Sequence, residues 1–169
     1  MTQSLPTSTT SENPLTKIHR ALVHALLSNE LLTSLVKIGN VYTHLGSMPN
    51  QTKPVAADND LPELTVYPTG FPLNGSPSDS MMYTRNFRIV ARTGDQRVNK
   101  GMDSIAWSIM QTVHRLRRAK CGLEGVVIDF RFINAEETLQ IGDDGRSTGW
   151  EIAVNVQVRF QVQDWEAGA

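Results

Sequence analysis

A chain of 169 residues that is 40% hydrophobic and 20% charged, with a net charge of −1, can bury roughly 70% of its unfolded surface and needs no covalent or metal staple. Its single cysteine, Cys121, excludes an internal disulfide and any zinc site built from two or more thiolates, and suits a reducing cytosol. No apolar run approaches the roughly 20 residues of a membrane helix, and the opening MTQSLPTSTTSEN lacks the basic start and apolar stretch of a secretory signal.

The chain is expected to form one domain over 14–163, between a flexible arm at 1–13 and a short tail at 164–169. Seven of residues 2–13 are Ser or Thr, too little apolar surface to order the arm by itself. Asn13-Pro14 then supplies an N-cap followed by proline at the first helical position. Leu15, Ile18, Leu22 and Leu26 recur at helical spacing, and Ser28-Asn29 interrupts the pattern. Leu31, Leu32, Leu35, Val36 and Ile38 give a second short helix or turn stopped at Gly39, and Val41-Tyr42 reads as a short edge strand.

Six of the eight prolines fall between residues 49 and 77. Proline has no N–H for a ladder, so Leu64–Tyr67 is the one strand expected there, between long loops at about 45–61 and 68–81. Phe71 and Leu73 in the second loop form a candidate docking pair. From Tyr83 the sequence alternates as a strand to Thr93-Gly94-Asp95. Met102, Ile105, Ala106, Ile109, Val113 and Leu116 make one stripe of an amphipathic helix ending in Arg115, Arg117, Arg118 and Lys120, where positive charge suits the helix dipole.

The last third reads as a hairpin. Ile128, Phe130 and Phe132 alternate with Asp129 and Arg131, a second short piece spans Thr138–Ile141, and Gly142-Asp143-Asp144-Gly145 is turn chemistry. In the return strand Trp150, Ile152, Val154, Val156, Val158, Phe160 and Val162 take one face and polar residues the other. Fourteen alternating residues extend roughly 46 Å, so this strand either curls round a core or pairs with another chain. The expected class is α+β: a mainly antiparallel sheet of four to five strands, helices on its apolar face, and a long C-terminal β-hairpin.

Charge is segregated. Residues 1–84 sum to −2, 85–120 to +7 and 121–169 to −6, a division that fits complementary surfaces or a local polyanion contact. Arg85, Arg88, Arg92, Arg115, Arg117, Arg118 and Lys120 form a candidate basic cluster at a subunit interface or a lumen. Its alternative use is a monomeric nucleic-acid-binding domain, although the strand lacks the paired aromatics of a base-stacking platform. Trp150, Ile152, Val154, Val156, Val158 and Phe160 are the candidate inter-subunit strand.

Catalytic and metal chemistry find no footing. His19 and His24 are five apart and lie on different helix faces, and His44 and His114 add no ligand spacing. Glu136 and Glu137 are adjacent and point to opposite faces of a strand, a poor acid/base pair. Cys121 follows Lys120 without an evident base. No catalytic residue, cofactor or metal site is therefore expected.

Several segments together resemble the tail-terminator, or tail-completion, proteins of long-tailed bacteriophages and gene transfer agents. They are IHRALVHALL with a nearby VY, DLPELTVYP, NFRIVARTG followed by GMDSIAWSIMQTVHRL, and LEGVVIDFRFINAEETLQIGDDGRSTGWEIAVNVQVRFQV. The resemblance spans about residues 15–162, and the 45–81 region is longer and richer in proline than the family pattern. It implies a six-fold ring on the head-proximal end of the tail that ends tube polymerisation and meets the head connector. The implied partners are copies of itself, the tail-tube protein and a connector or stopper protein, with DNA in the lumen and no membrane. Another neck protein, a head-completion or stopper subunit, is the alternative within the same class.

Overall fold

Residues 13–43, 61–70, 82–94, 101–119 and 126–162 are described by a computed structural model. In chain order they form α1 (Pro14–Leu27), α2 (Glu30–Leu35), a single 3-10 turn (Ile38–Asn40), β1 (Val41–Tyr42), β2 (Glu63–Gly70), β3 (Met82–Thr93), α3 (Met102–Ala119), β4 (Val126–Ile141) and β5 (Ser147–Val162). The start of α1 is the one its sequence dictates: the Thr16 N–H donates to Asn13 Oδ1 at 2.9 Å and Pro14 fills the first turn.

The interruption at Ser28-Asn29 is a joint. Asn29 is buried, and its Oδ1 accepts from the Leu32 N–H at 3.2 Å, capping α2. Its Nδ2 donates to the Ser108 carbonyl at 3.0 Å and to Thr112 Oγ1 at 2.9 Å. One side chain thereby starts α2 and ties it to α3.

The sheet runs β1-β2-β3-β5-β4, with β1 parallel to β2 and all other pairs antiparallel. α3 packs on β3, β4 and β5 and against α1 and α2, so the helices cover one face. Every stripe residue of α3 from Met102 to Leu116 is buried, together with Ile18, Leu22 and Leu26 of α1. They meet Leu64, Val66, Phe87, Ile89, Val154, Val156 and Val158 from the sheet in one core. The α+β class, the mainly antiparallel sheet and the terminal hairpin are as the sequence implies.

Two boundaries differ from expectation. β2 does not stop at Tyr67 but continues through Pro68 to Gly70. β1 reaches only Leu64 and Thr65, so β2 is an edge strand where the proline falls, and the register with β3 shifts between Pro68 and Gly70. Edge and bulge are the two places a sheet tolerates proline. β2 thus takes in the first three residues of the expected second loop, and the rest of both expected loops, residues 44–60 and 71–81, lies outside the described residues.

β4 is one strand of 16 residues, not two pieces. A register shift between Phe132 and Asn134 takes up Ile133 as an extra residue, and this breaks the alternation seen in the sequence. The expected turn closes as read: the Gly145 N–H donates to the Gly142 carbonyl at 2.9 Å, and Gly145 has φ 74°.

Gly149 stands where β5 enters the sheet, with φ 150°. A Cβ there would lie 2.5 Å from the Thr93 carbonyl oxygen. Gly149→Ala is expected to destabilise the fold by at least the roughly 1–3 kcal/mol of such a backbone, with the contact adding to it. Urea unfolding should show a lower midpoint at unchanged slope.

Candidate assembly interface

The face of the sheet away from the helices is polar and follows its register. One row sets Glu63, Arg92, Glu151 and Thr138 side by side across four strands, and the next sets Thr65, Val90, Ala153 and Glu136. Arg92 bonds Glu63 at 3.2 Å and lies 3.9 Å from Glu151. Arg88 reaches across β5 to Glu136 at 3.3 Å, passing a row where β5 carries only the small Ala153. Asp129 receives Arg131 at 2.7 Å, and Asn155 donates to Asn134 at 2.7 Å. Directly opposed opposite charges of this kind stabilise a sheet face. Arg88, Arg92 and Arg131 of the open face are each paired with a carboxylate of that face.

The helix side differs at its β4 margin. α3 packs on β3, β4 and β5, and on β5 Ile152, Val154, Val156, Val158 and Phe160 are all buried. On β4, Phe130 is buried, yet residues 131–139 are exposed without a break. Phe132, Ala135, Glu137 and Leu139 pair with core-facing residues of β5 and so share the helix side. Between Phe130–Phe132 and α3 lies a groove of about 870 Å³ lined by Trp107, Met110, His114, Arg115, Phe130, Arg131 and Phe132 among others. Trp107 is 56% exposed and Phe132 and Leu139 are each 40% exposed. Among the described residues no strand pairs with the outer side of β4. A long edge strand beside an apolar groove is the arrangement that receives another chain.

The candidate basic cluster does not form one surface. Arg88 and Arg92 are on the open face in ion pairs, whereas Arg85 shares the helix side with Phe87 and Ile89. Desolvation by partial burial lowers the Arg85 guanidinium pKa from its ordinary value. Arg115 is exposed on α3, across the sheet from Arg88 and Arg92, and lines the groove. Arg117 and Arg118 lie on the last turn of α3. Lys120 lies outside the described residues, and so does the Phe71/Leu73 docking pair. Strand alternation separates what linear spacing had grouped.

The candidate inter-subunit strand is likewise corrected. β5 is an interior strand, hydrogen-bonded to β3 on one side and β4 on the other, so it has no edge to offer. Ile152, Val154, Val156, Val158 and Phe160 are spent in the subunit's own core, with Trp150 packed against it. The edge belongs to β4. Sequence reasoning missed Trp107, Phe132, Glu137 and Leu139 as a group. The available signal was a tryptophan one step off the α3 stripe and apolar residues of β4 past the reach of any helix.

His19 is buried, its ring 5.2 Å from that of Phe87, while His24 and His114 are exposed; His44 and Cys121 lie outside the described residues. Among the described residues no three His, Cys, Asp or Glu side chains gather as a metal site. No helix among them is long and apolar enough to cross a membrane.

No protein-family model matches the sequence, and no curated protein matches it. Solved structures do. One is a chain of the virion of a native gene transfer agent particle, with a TM-score of 0.56 and 16% identity over 85% of this chain and 94% of that one. This likeness shows a shared fold.

The ion pairs of the open face generate a test. Glu63 keeps 8% of its side chain exposed, so removing Arg92 takes a cationic partner from a buried carboxylate. Arg92→Ala is expected to cost about 1–3 kcal/mol. Glu63→Gln added to it should recover part of that loss in the same denaturation measurement.

Proposed function

We propose that this chain is a structural virion protein, one subunit of a ring that closes the head-proximal end of a phage-type tail. In that place it ends polymerisation of the tube and offers the surface to which the head connector binds. The observation that carries the reading is the likeness of nearly the whole fold to a chain of a gene transfer agent virion, spanning 94% of that chain. It agrees with the tail-terminator resemblance of the sequence.

The physical design supports an assembly role. A ring subunit needs two different surfaces that fit each other, one for each neighbour. The β4 edge with its groove supplies one such surface. The open face, where Arg88, Arg92 and Arg131 are paired with carboxylates, suits a wall past which a polyanion moves without being held, since charges already paired at short range project little field. The reading is of a non-enzymatic protein: its residues position and join other chains and perform no bond chemistry.

The test is to prepare particles from which this protein has been deleted. Tubes of uncontrolled length without attached heads are expected in electron micrographs, and adding the purified protein should restore uniform tails. Tails of normal length that merely fail to join heads would assign the chain to another neck position. Normal, joined particles would contradict the proposal.

A further inference from the structure

We infer that the groove between α3 and β4 receives residues 163–169, the segment that follows β5, from a second copy of this chain, with Trp165 entering beside Trp107 and Phe132. The inference rests on the assembly reading above and deepens it by naming what joins one subunit to the next.

The groove selects its occupant by chemistry. Trp107, Phe130 and Phe132 supply ring surface, His114, Arg115 and Arg131 supply basic groups, and no carboxylate stands among the described residues that line it. Asp129 and Glu136 face the other side of the sheet in ion pairs, and Asp103 and Glu137 lie outside the lining. Arg131 is shared with Asp129 at 2.7 Å, whereas Arg115 is exposed and forms no ion pair among the described residues. A lining of this kind suits an aromatic ring flanked by carboxylates, which meets both its rings and its guanidinium groups.

The chain carries such a group. Residues 163–169 read QDWEAGA, with Asp164 and Glu166 on either side of Trp165 and no basic residue. Outside the described residues there are two Phe, Tyr or Trp side chains, Phe71 and Trp165, and only Trp165 has carboxylates beside it.

The topology makes the donor another copy. β5 runs antiparallel to β4 and sets Val162 against Val126, so the chain leaves the sheet heading away from Phe132. Turning back along β4 takes at least two residues, which brings Trp165 no further than the start of β4. Phe132 stands six residues beyond Val126, roughly 20 Å along the strand. A chain's own Trp165 therefore stops short of its own groove, while a segment that heads outward from one sheet is placed to meet a neighbour. Segment and groove are different patches, so each copy gives one and receives the other, and repetition of such a contact closes a ring.

The experiment follows the mass of the full chain over a wide concentration range by sedimentation or native mass spectrometry. Trp165→Ala, Trp107→Ala and Arg115→Glu should each raise the concentration needed for assembly roughly tenfold or more, the equivalent of about 1.4 kcal/mol. Trp107 and Arg115 are exposed, so circular dichroism should stay unchanged. Asp164→Lys combined with Glu166→Lys should weaken assembly as well, and adding Arg115→Glu to that chain should recover part of the loss. A mixing arm tests the exchange itself. Trp165→Ala chains keep an intact groove and Trp107→Ala chains an intact segment, so each pair can form one sound contact. At a concentration where neither variant assembles alone, the mixture should give a one-to-one dimer and nothing larger.

Dependence on Trp107 and Arg115 without dependence on Trp165 would mean that a different segment or a different protein fills the groove, and would overturn the inference. A Trp165→Ala chain that assembles more readily than the unmodified one would mean that the segment covers its own groove, and would overturn it too. Unmodified protein that assembles, with every variant assembling equally well, would overturn it and leave the ring reading intact. An unmodified chain that stays monomeric at every concentration would defeat both.

Discussion

The architecture depends on a mismatch between the sheet and the helical layer that covers it. β4 and β5 have 16 residues each, roughly 50 Å of extended chain, whereas the 18 residues of α3 extend about 27 Å. The buried run of β5, from Ile152 to Phe160, has about the length that α3 can cover. Ile105, Ile109 and Val113 of α3 share one core with Phe130 of β4 and the apolar face of β5, and β4 is exposed from Arg131 to Leu139. Apolar side chains that a helix would hide in an ordinary α+β domain are thereby presented along an edge. Covering them is favourable at about 25 cal/mol per Å². Within the described residues nothing does so.

The helical layer is itself held by few polar ties, which raises the importance of each. Asn29 joins α1, α2 and α3 where α1 ends, and Thr112 donates on to the Ser108 carbonyl at 2.9 Å, so the buried donors and acceptors are matched. Because α2 is one and a half turns long it has no stability of its own. It stands because of that cap and because Leu32 and Val36 are buried. The flank that carries Lys37 and Ile38 to the β1 edge follows directly from it. One buried amide thus orients the surface on the far side of the molecule from β4.

Much of this was legible in the sequence because it was written in periodicity. The helical stripes of α1 and α3, the cap at Asn13, the hairpin turn and the alternation of β5 all depend on near neighbours. What was not legible depends on strand order. Fourteen alternating residues in β5 signal a long half-buried strand, but only the pairing of β3 with β5 shows that it is interior and its apolar face already used. In the same way Arg85, Arg88 and Arg92 form a basic run in sequence, yet alternation sends Arg85 to the helix side and leaves the other two against Glu136 and Glu63. Ile133 hid the continuity of β4, since one bulged residue reverses the face of every residue after it. The proline at 68 ended β2 too early because a sequence does not disclose that β1 is only two residues long.

The central claim is that the exposed half of β4 is an interface completed by another copy of the chain. Amide hydrogen exchange along Phe132–Ile141 tests this most directly, compared between dilute protein and the assembled state. Slower exchange concentrated in β4 and in α3 around Trp107 on assembly is the result the account predicts. An assembled state in which those amides exchange as fast as in the dilute chain would contradict it.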